Sequence, residues 1–197
     1  EWGWSSPMAI AMYVTGVFGI VSFIMIEKRM GSAALIPLSL FKEPTFARTQ
    51  ILGFILGGGM FGGMIVLPLI IQVVYGASPT EAGFLMLPMV AGMMTATITS
   101  GRITSKTGKY RIFFNTGTGV LFLGYLFMLL MMDASTPIWV ISIGMVMIGL
   151  GFGQLMQTTM IASQNSVAAR DIGVATSSAT FFRQMGGTFG VAVFMSI

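Results

Sequence analysis

The sequence predicts an all-α membrane protein, a polytopic helical bundle with about six transmembrane helices. Three observations carry this prediction. Apolar stretches fall at 8–26, 49–74, 82–100, 112–131, 138–161 and 174–197. Each is about 19–26 residues long, enough to cross a hydrocarbon core of about 30 Å at about 1.5 Å per residue. Hydrophobic residues make up 55% of the chain and charged residues 8%, where an ordinary soluble domain is about 25% charged. Mean hydropathy is +0.88. Finally, the ten Lys and Arg residues fall on alternate loops and the helix ends beside them. A barrel would instead show alternating strands of about ten residues.

The first stretch ends at Glu27-Lys28-Arg29. Lys28, Arg29, Lys42 and Arg48 mark the first long loop, Arg102, Lys106, Lys109 and Arg111 the third, and Arg170 the fifth. Segments 1–7, 75–81 and 132–137 carry no basic residue. Basic loops stay in the cytosol, so residues 1–7 are expected outside and the last helix runs outward. Trp2 and Trp4 are expected at the outer interface. The chain begins with Glu and stops at Ile197 inside an apolar run, so both ends are expected to be cut from a longer protein. In the first long loop, Leu35–Phe41 is too short to span and contains Pro37; it reads as a segment lying in the cytoplasmic interface.

The second helix carries Gly53, Gly57, Gly58, Gly59, Gly62 and Gly63. Spacings of four put small residues on one face, where another backbone approaches closely. Gly58 and Gly62 here, with Gly186 and Gly190 in the last helix, are the candidate packing positions. Tight static packing and a sliding surface both fit the pattern. Pro68 is expected to kink this helix. The third helix starts with Ser78-Pro79-Thr80-Glu81, a capping-type sequence, and holds Pro88. Its Thr95, Thr97, Thr99 and Ser100 are expected to bond back to their own helix carbonyls, with substrate contact as the alternative. Gln154 and Gln157 in the fifth helix are neutral amides that are costly in the membrane unless they face protein or water. The sixth helix places Phe181, Arg183 and Gln184 near its cytoplasmic end.

Absences narrow the chemistry. The chain has no Cys and no His. Its six acids, Glu1, Glu27, Glu43, Glu81, Asp133 and Asp171, fall in loops or at helix ends. No metal-ligand cluster and no nucleophile–base pair can be drawn, which argues against an enzyme. The net charge of +4 is spread over juxtamembrane loops that face anionic headgroups, which argues against nucleic acid.

Gly101-Arg102-Ile103-Thr104-Ser105-Lys106-Thr107-Gly108-Lys109-Tyr110-Arg111 is the sharpest local signal. A tight turn between two membrane helices needs Gly for positive φ, and basic residues hold it at the cytosolic surface. A simple positive-inside hairpin explains that much. The order of residues goes further: it resembles the loop motif G-x-L-x-D-R-x-G-R-K-R of the major facilitator superfamily in its second copy. Gly101, Ile103, Lys106, Gly108, Lys109 and Arg111 match in kind, while Ser105 stands where the acid would be. Trp4-Ser5-Ser6-Pro7, Ile36–Phe41, Leu67–Gln72, Ala82–Pro88 and Arg183–Ala192 look like the fourteen-helix drug:proton antiporter branch, so the likeness covers essentially the whole chain.

The resemblance implies a major facilitator-type C-terminal half. Residues 1–48 would be a linker transmembrane helix with a cytoplasmic interfacial loop. Residues 49–197 would be five of six helices of the C-terminal bundle. The partners implied are the lipid bilayer, small hydrophobic or cationic substrates, and a missing N-terminal half that holds the coupling acids. No cofactor is implied beyond a proton gradient, no metal and no nucleic acid. The implied function is part of a secondary transporter that exports drugs or toxic compounds across a bacterial plasma membrane in exchange for protons. Export of lipid, siderophore or amino acid is the alternative, as is a non-transporting sensor or structural subunit. On this reading Gln154, Gln157, Phe181, Arg183 and Gln184 line the substrate cavity, with the two earlier glutamines as possible hydrogen-bond partners of Arg183. Gly101, Lys106, Gly108, Lys109 and Arg111 form the loop that governs switching. The nineteen Met suit either a repacking cavity wall or ordinary packing and lipid contact, with the second expected for most.

Overall fold

A computed structural model describes residues 6–30, 38–133 and 136–196. Seven α-helices follow one another among the described residues: α1 (Pro7–Met30), α2 (Pro44–Tyr75), α3 (Pro79–Leu85), α4 (Leu87–Thr107), α5 (Arg111–Met131), α6 (Ile138–Asn165) and α7 (Ile172–Phe194). Short 3₁₀ turns at Leu38–Lys42 and Ala169–Asp171 precede α2 and α7. The expected interfacial placement of Trp2, Trp4 and Leu35–Pro37 lies outside the described residues.

The protein is an all-α polytopic membrane protein. Five helical segments are long and apolar enough to cross a bilayer: α1, α2, α3 with α4 as one unit, α5 and α6. The sixth expected span, α7, has 23 residues and so the length. It falls short in apolarity because Thr176, Ser177, Ser178, Thr180, Arg183, Gln184 and Thr188 interrupt it. The helices also overrun the apolar stretches at the ends that carry basic residues. Lys28 and Arg29 lie in the last turn of α1, Arg48 lies in α2, and Arg102 and Lys106 lie in α4. Hydropathy registers the hydrocarbon core, whereas backbone hydrogen bonding continues into the headgroup layer.

The third span breaks at Met86. Pro88 lacks an amide proton and disfavours a continuous helix through the residues before it, so it belongs in a first turn. The chain uses it so, ending α3 at Leu85 and restarting α4 at Leu87. The start of α3 is a complete capping box. Glu81 N–H donates to Ser78 Oγ at 3.3 Å, and Ser78 N–H donates to the Glu81 carboxylate at 2.8 Å. The Thr95 and Thr99 hydroxyls of α4 return to their own helix, donating to the Ala91 and Thr95 carbonyls at 2.7 Å each.

α6 is the centre of the bundle. It packs on α4, α5, α2 and α7, and α2 in turn lies along α7. The core gathers where these meet, around Met60, Ile71, Met89, Met145, Ile148 and Phe152. Four methionines, Met60, Met89, Met128 and Met145, are buried there, while others such as Met12 and Met94 lie on the outer surface. α1 makes no more than glancing contact with the other helices, and Glu27 is its one buried residue.

Two close crossings explain the glycines. A methyl group on Gly190 of α7 would lie 2.5 Å from Gly58 Cα, and one on Gly186 would strike the Phe54 carbonyl. A methyl on Gly62 would meet the ring of Phe194, the last residue of α7. Thus the glycine faces of α2 and α7 lie against each other, as backbone approach between membrane helices requires. A methyl on Gly153 of α6 would likewise strike the Met93 carbonyl of α4.

Candidate functional site

α7 presents two different faces. Ser178, Ala179, Gly186 and Gly187 are buried against the bundle. Ser177, Gln184 and Thr188 are exposed, at spacings that place them on one stripe. Taking about 100° per residue, the three fall within about 40° of one another, and Phe181 borders them. Phe181 is 44% exposed and meets Phe182 edge-on at 5.5 Å. The Ser177 and Thr188 hydroxyls donate to the Gly173 and Gln184 carbonyls of their own helix at 2.9 and 3.1 Å, so the exposed Gln184 amide is the group of this stripe that is costly against lipid and calls for water or another protein surface.

Arg183 lies about 100° around α7 from Gln184, on the side toward α2 and α6, and is half-buried. Its backbone carbonyl lies where a side chain on Gly57 would go. Together with Leu56, Met156, Thr159 and Met160 it lines a cavity of about 10 Å³, close to the lower limit for one water. The Thr159 hydroxyl is buried without a partner. The guanidinium has no hydrogen-bond or ion-pair partner among the described residues.

This corrects the expected network. Gln154 and Gln157 do not reach Arg183. Thr116 Oγ1 of α5 donates to Gln154 Oε1 at 2.7 Å. Gln157 lies over α4, with its Nε2 3.2 Å from where a methyl on Gly101 would be. Met156 stands about 200° around α6 from Gln154, which is why the side toward Arg183 is lined by methionines.

Two polar contacts near the basic end of the bundle were not anticipated. Gln50 of α2, fully buried, donates from Nε2 to Ser163 Oγ of α6 at 3.0 Å. Gln164 donates to Thr176 of α7 at 2.9 Å. The reasoning that singled out Gln154 applies equally to Gln50, a neutral amide one turn inside a span. Ser178, also fully buried, has an unpartnered hydroxyl beside this cluster's helices.

The loop motif divides. Residues 101–107 belong to α4 and Arg111 opens α5. The turn is Gly108, whose φ of 68° is left-handed and whose N–H donates to the Thr104 carbonyl at 2.8 Å. Gly101 is helical and serves close packing instead. Lys106, Lys109 and Arg111 are exposed. Replacing Gly108 with Val would place a β-branched residue in the left-handed region at a cost of about 1–2 kcal/mol or more. In a complete transporter of the kind the resemblance implies, the expected outcome is slower transport with nearly unchanged ligand binding, since the turn is remote from a midplane site. A loss of equilibrium binding with intact turnover would contradict it.

Ser105 and Ser78 are both exposed, at opposite ends of the α3–α4 unit. Introduced cysteines therefore report orientation. Ser78→Cys should react with an impermeant maleimide on intact cells and Ser105→Cys should not. The reverse pattern would invert the topology.

The sequence model of the Major Facilitator Superfamily matches residues 1–191. The chain belongs to this superfamily. Its curated relatives include a tetracycline resistance determinant of Streptomyces rimosus, 34% identical over all of this chain and 56% of the relative. The multidrug transporter protein MdtP of Bacillus subtilis is 36% identical over 98% of this chain and 35% of the relative. A vacuolar basic amino acid transporter 2 of Saccharomyces cerevisiae is 28% identical over 96% of this chain and 40% of the relative. The chain thus spans between a third and about half of the length of these superfamily members.

Proposed function

We propose that this chain is one half of a proton-driven exporter of hydrophobic or cationic compounds, working in a bacterial plasma membrane. The observation that carries the reading is the exposed Ser177–Gln184–Thr188 stripe on α7. It gives this bundle a wet or protein-covered face, on a helix otherwise packed by glycine onto α2. A second half closing over that face would enclose a cavity between two rocking bundles. Phe181 borders that cavity and Arg183 lies behind it toward α2 and α6, while Gln154 and Gln157 stiffen the α5 and α4 sides. Two of the relatives named above are a tetracycline resistance determinant and a multidrug transporter, which supports drugs as the cargo. One relative handles basic amino acids, the runner-up class.

The test is export by the complete transporter in everted vesicles. Acidifying the lumen should drive uptake of ethidium, and a protonophore should abolish it. Proton-driven uptake of arginine with no effect on ethidium would favour the runner-up. Uptake of neither would contradict export.

A further inference from the structure

Threonine hydroxyls in these helices usually turn back on the backbone. Thr118, Thr158, Thr176 and Thr180 each donate to the carbonyl four residues before them, at 2.7–3.0 Å. Thr159 of α6, beside Thr158, does not. It is 4% exposed, and its hydroxyl has no partner among the described residues. Thr159 lines the cavity of about 10 Å³ between α2, α6 and α7, and Arg183 lines the same cavity. Ala179, one turn before Arg183, and Gly53 of α2 line it too. The Ala179 carbonyl oxygen lies 3.7 Å from where a methyl on Gly53 would be. The rest of the wall is apolar and includes Met156 and Met160.

A guanidinium has only donors and keeps its charge. A hydroxyl both donates and accepts, and a carbonyl has a second lone pair beyond its helix bond. Left without partners in an apolar layer, the first two are costly. The volume is that of one water, and a buried water makes about three hydrogen bonds. We infer that a single ordered water joins Thr159 to Arg183 and aims the guanidinium, which makes Thr159 a positioning residue for Arg183. The water accepts a guanidinium N–H. It donates one hydrogen to Thr159 Oγ1 and the other to the Ala179 carbonyl. The consequence for transport rests on the export reading, whereas the water does not.

X-ray radiolysis of the complete transporter in nanodiscs tests this, because a hydroxyl radical made from an ordered internal water oxidises the methionine beside it. Met156 and Met160 should be oxidised, while Met89 and Met145, each 1% exposed in the apolar core, should not. Two substitutions remove the water by different routes. Thr159→Val keeps the shape and deletes the hydroxyl. Gly53→Ala puts a methyl into the cavity at an ordinary contact distance from the Ala179 carbonyl. Each should lower the oxidation of Met156 and Met160 severalfold. Each should also reduce export about tenfold, the effect of losing one charge-assisted hydrogen bond. Thr159→Ser keeps a hydroxyl and should export at close to the native rate. In an Arg183→Gln background, neither Thr159→Val nor Gly53→Ala should lower export further, whereas an independent structural defect would add to the loss. Native oxidation of both methionines in Thr159→Val and Gly53→Ala would overturn the bridge. Reduced oxidation with native export in Thr159→Val would overturn the positioning role. Reduced oxidation in both variants, in a transporter whose native form shows no proton-driven export, would leave the bridge standing and refute the export reading.

Discussion

Replacing Gly186 with leucine is expected to abolish stable folding of the bundle. Even a single methyl there strikes the Phe54 carbonyl of α2, and backbone cannot rotate away as a side chain can. Overpacking a core usually costs about 1–3 kcal/mol; a leucine against backbone at a helix crossing should exceed that range. The structure also ranks the other sites. Gly190 should be nearly as sensitive, since its methyl would lie 2.5 Å from both Gly58 Cα and the Gly58 carbonyl oxygen. Gly58→Ala should be milder, with its methyl 3.3 Å from the Gly186 carbonyl. Gly62→Ala should be mildest, because the Phe194 ring at the end of α7 can turn aside. Yield and melting temperature in detergent give the order directly. Equal tolerance of Gly186→Leu and Gly62→Ala would mean that α2 and α7 do not cross at their glycines.

The second large effect concerns Arg183. Arg183→Gln should reduce export by about tenfold or more at unchanged abundance. The guanidinium is half-buried without a partner among the described residues, beside Leu56, Met156 and Thr159, so its charge is held for something that arrives from the other half or from solvent. A residue that only snorkels to headgroups needs length and charge, which lysine supplies. A planar fork that bridges two acceptors is not replaced by lysine. Arg183→Lys is therefore expected to be nearly as impaired as Arg183→Gln. Full export by both variants would reduce Arg183 to a membrane anchor.

The bundle was legible because the bilayer imposes one length and one polarity on every span. Five spans satisfy it, and their ends moved only where helices continued past the hydrocarbon. α7 was legible by length and blurred by composition, because Thr176, Ser177, Ser178, Thr180, Arg183, Gln184 and Thr188 interrupt its apolar run. The break at Met86 was hidden because Pro88 inside an apolar run reads equally as a kink or a restart. Side-chain partners were the least legible. Gln154 and Gln157 share a helix end with Met156 and Met160, and only the rotation of α6 decides which pair meets α7. That rotation is set by Gly149 and Gly153 seating on α4, a contact between distant segments. The resemblance located the α4–α5 turn, yet residues 101–107 proved helical, because a motif fixes residue order and leaves the backbone to the neighbouring helix.

Aqueous accessibility along α7 tests the central claim most directly. The chain has no cysteine, so single cysteines in a cysteine-free complete transporter report without background. Ser177→Cys, Gln184→Cys and Thr188→Cys should react rapidly with a small charged methanethiosulfonate, and a transported cation should slow the reaction. Phe122→Cys and Leu129→Cys on α5, where the native side chains are 65% and 79% exposed, should stay unreactive because they face lipid. If the three α7 positions prove as inert as the two on α5, the stripe faces hydrocarbon and the chain does not form a wall of a transport cavity.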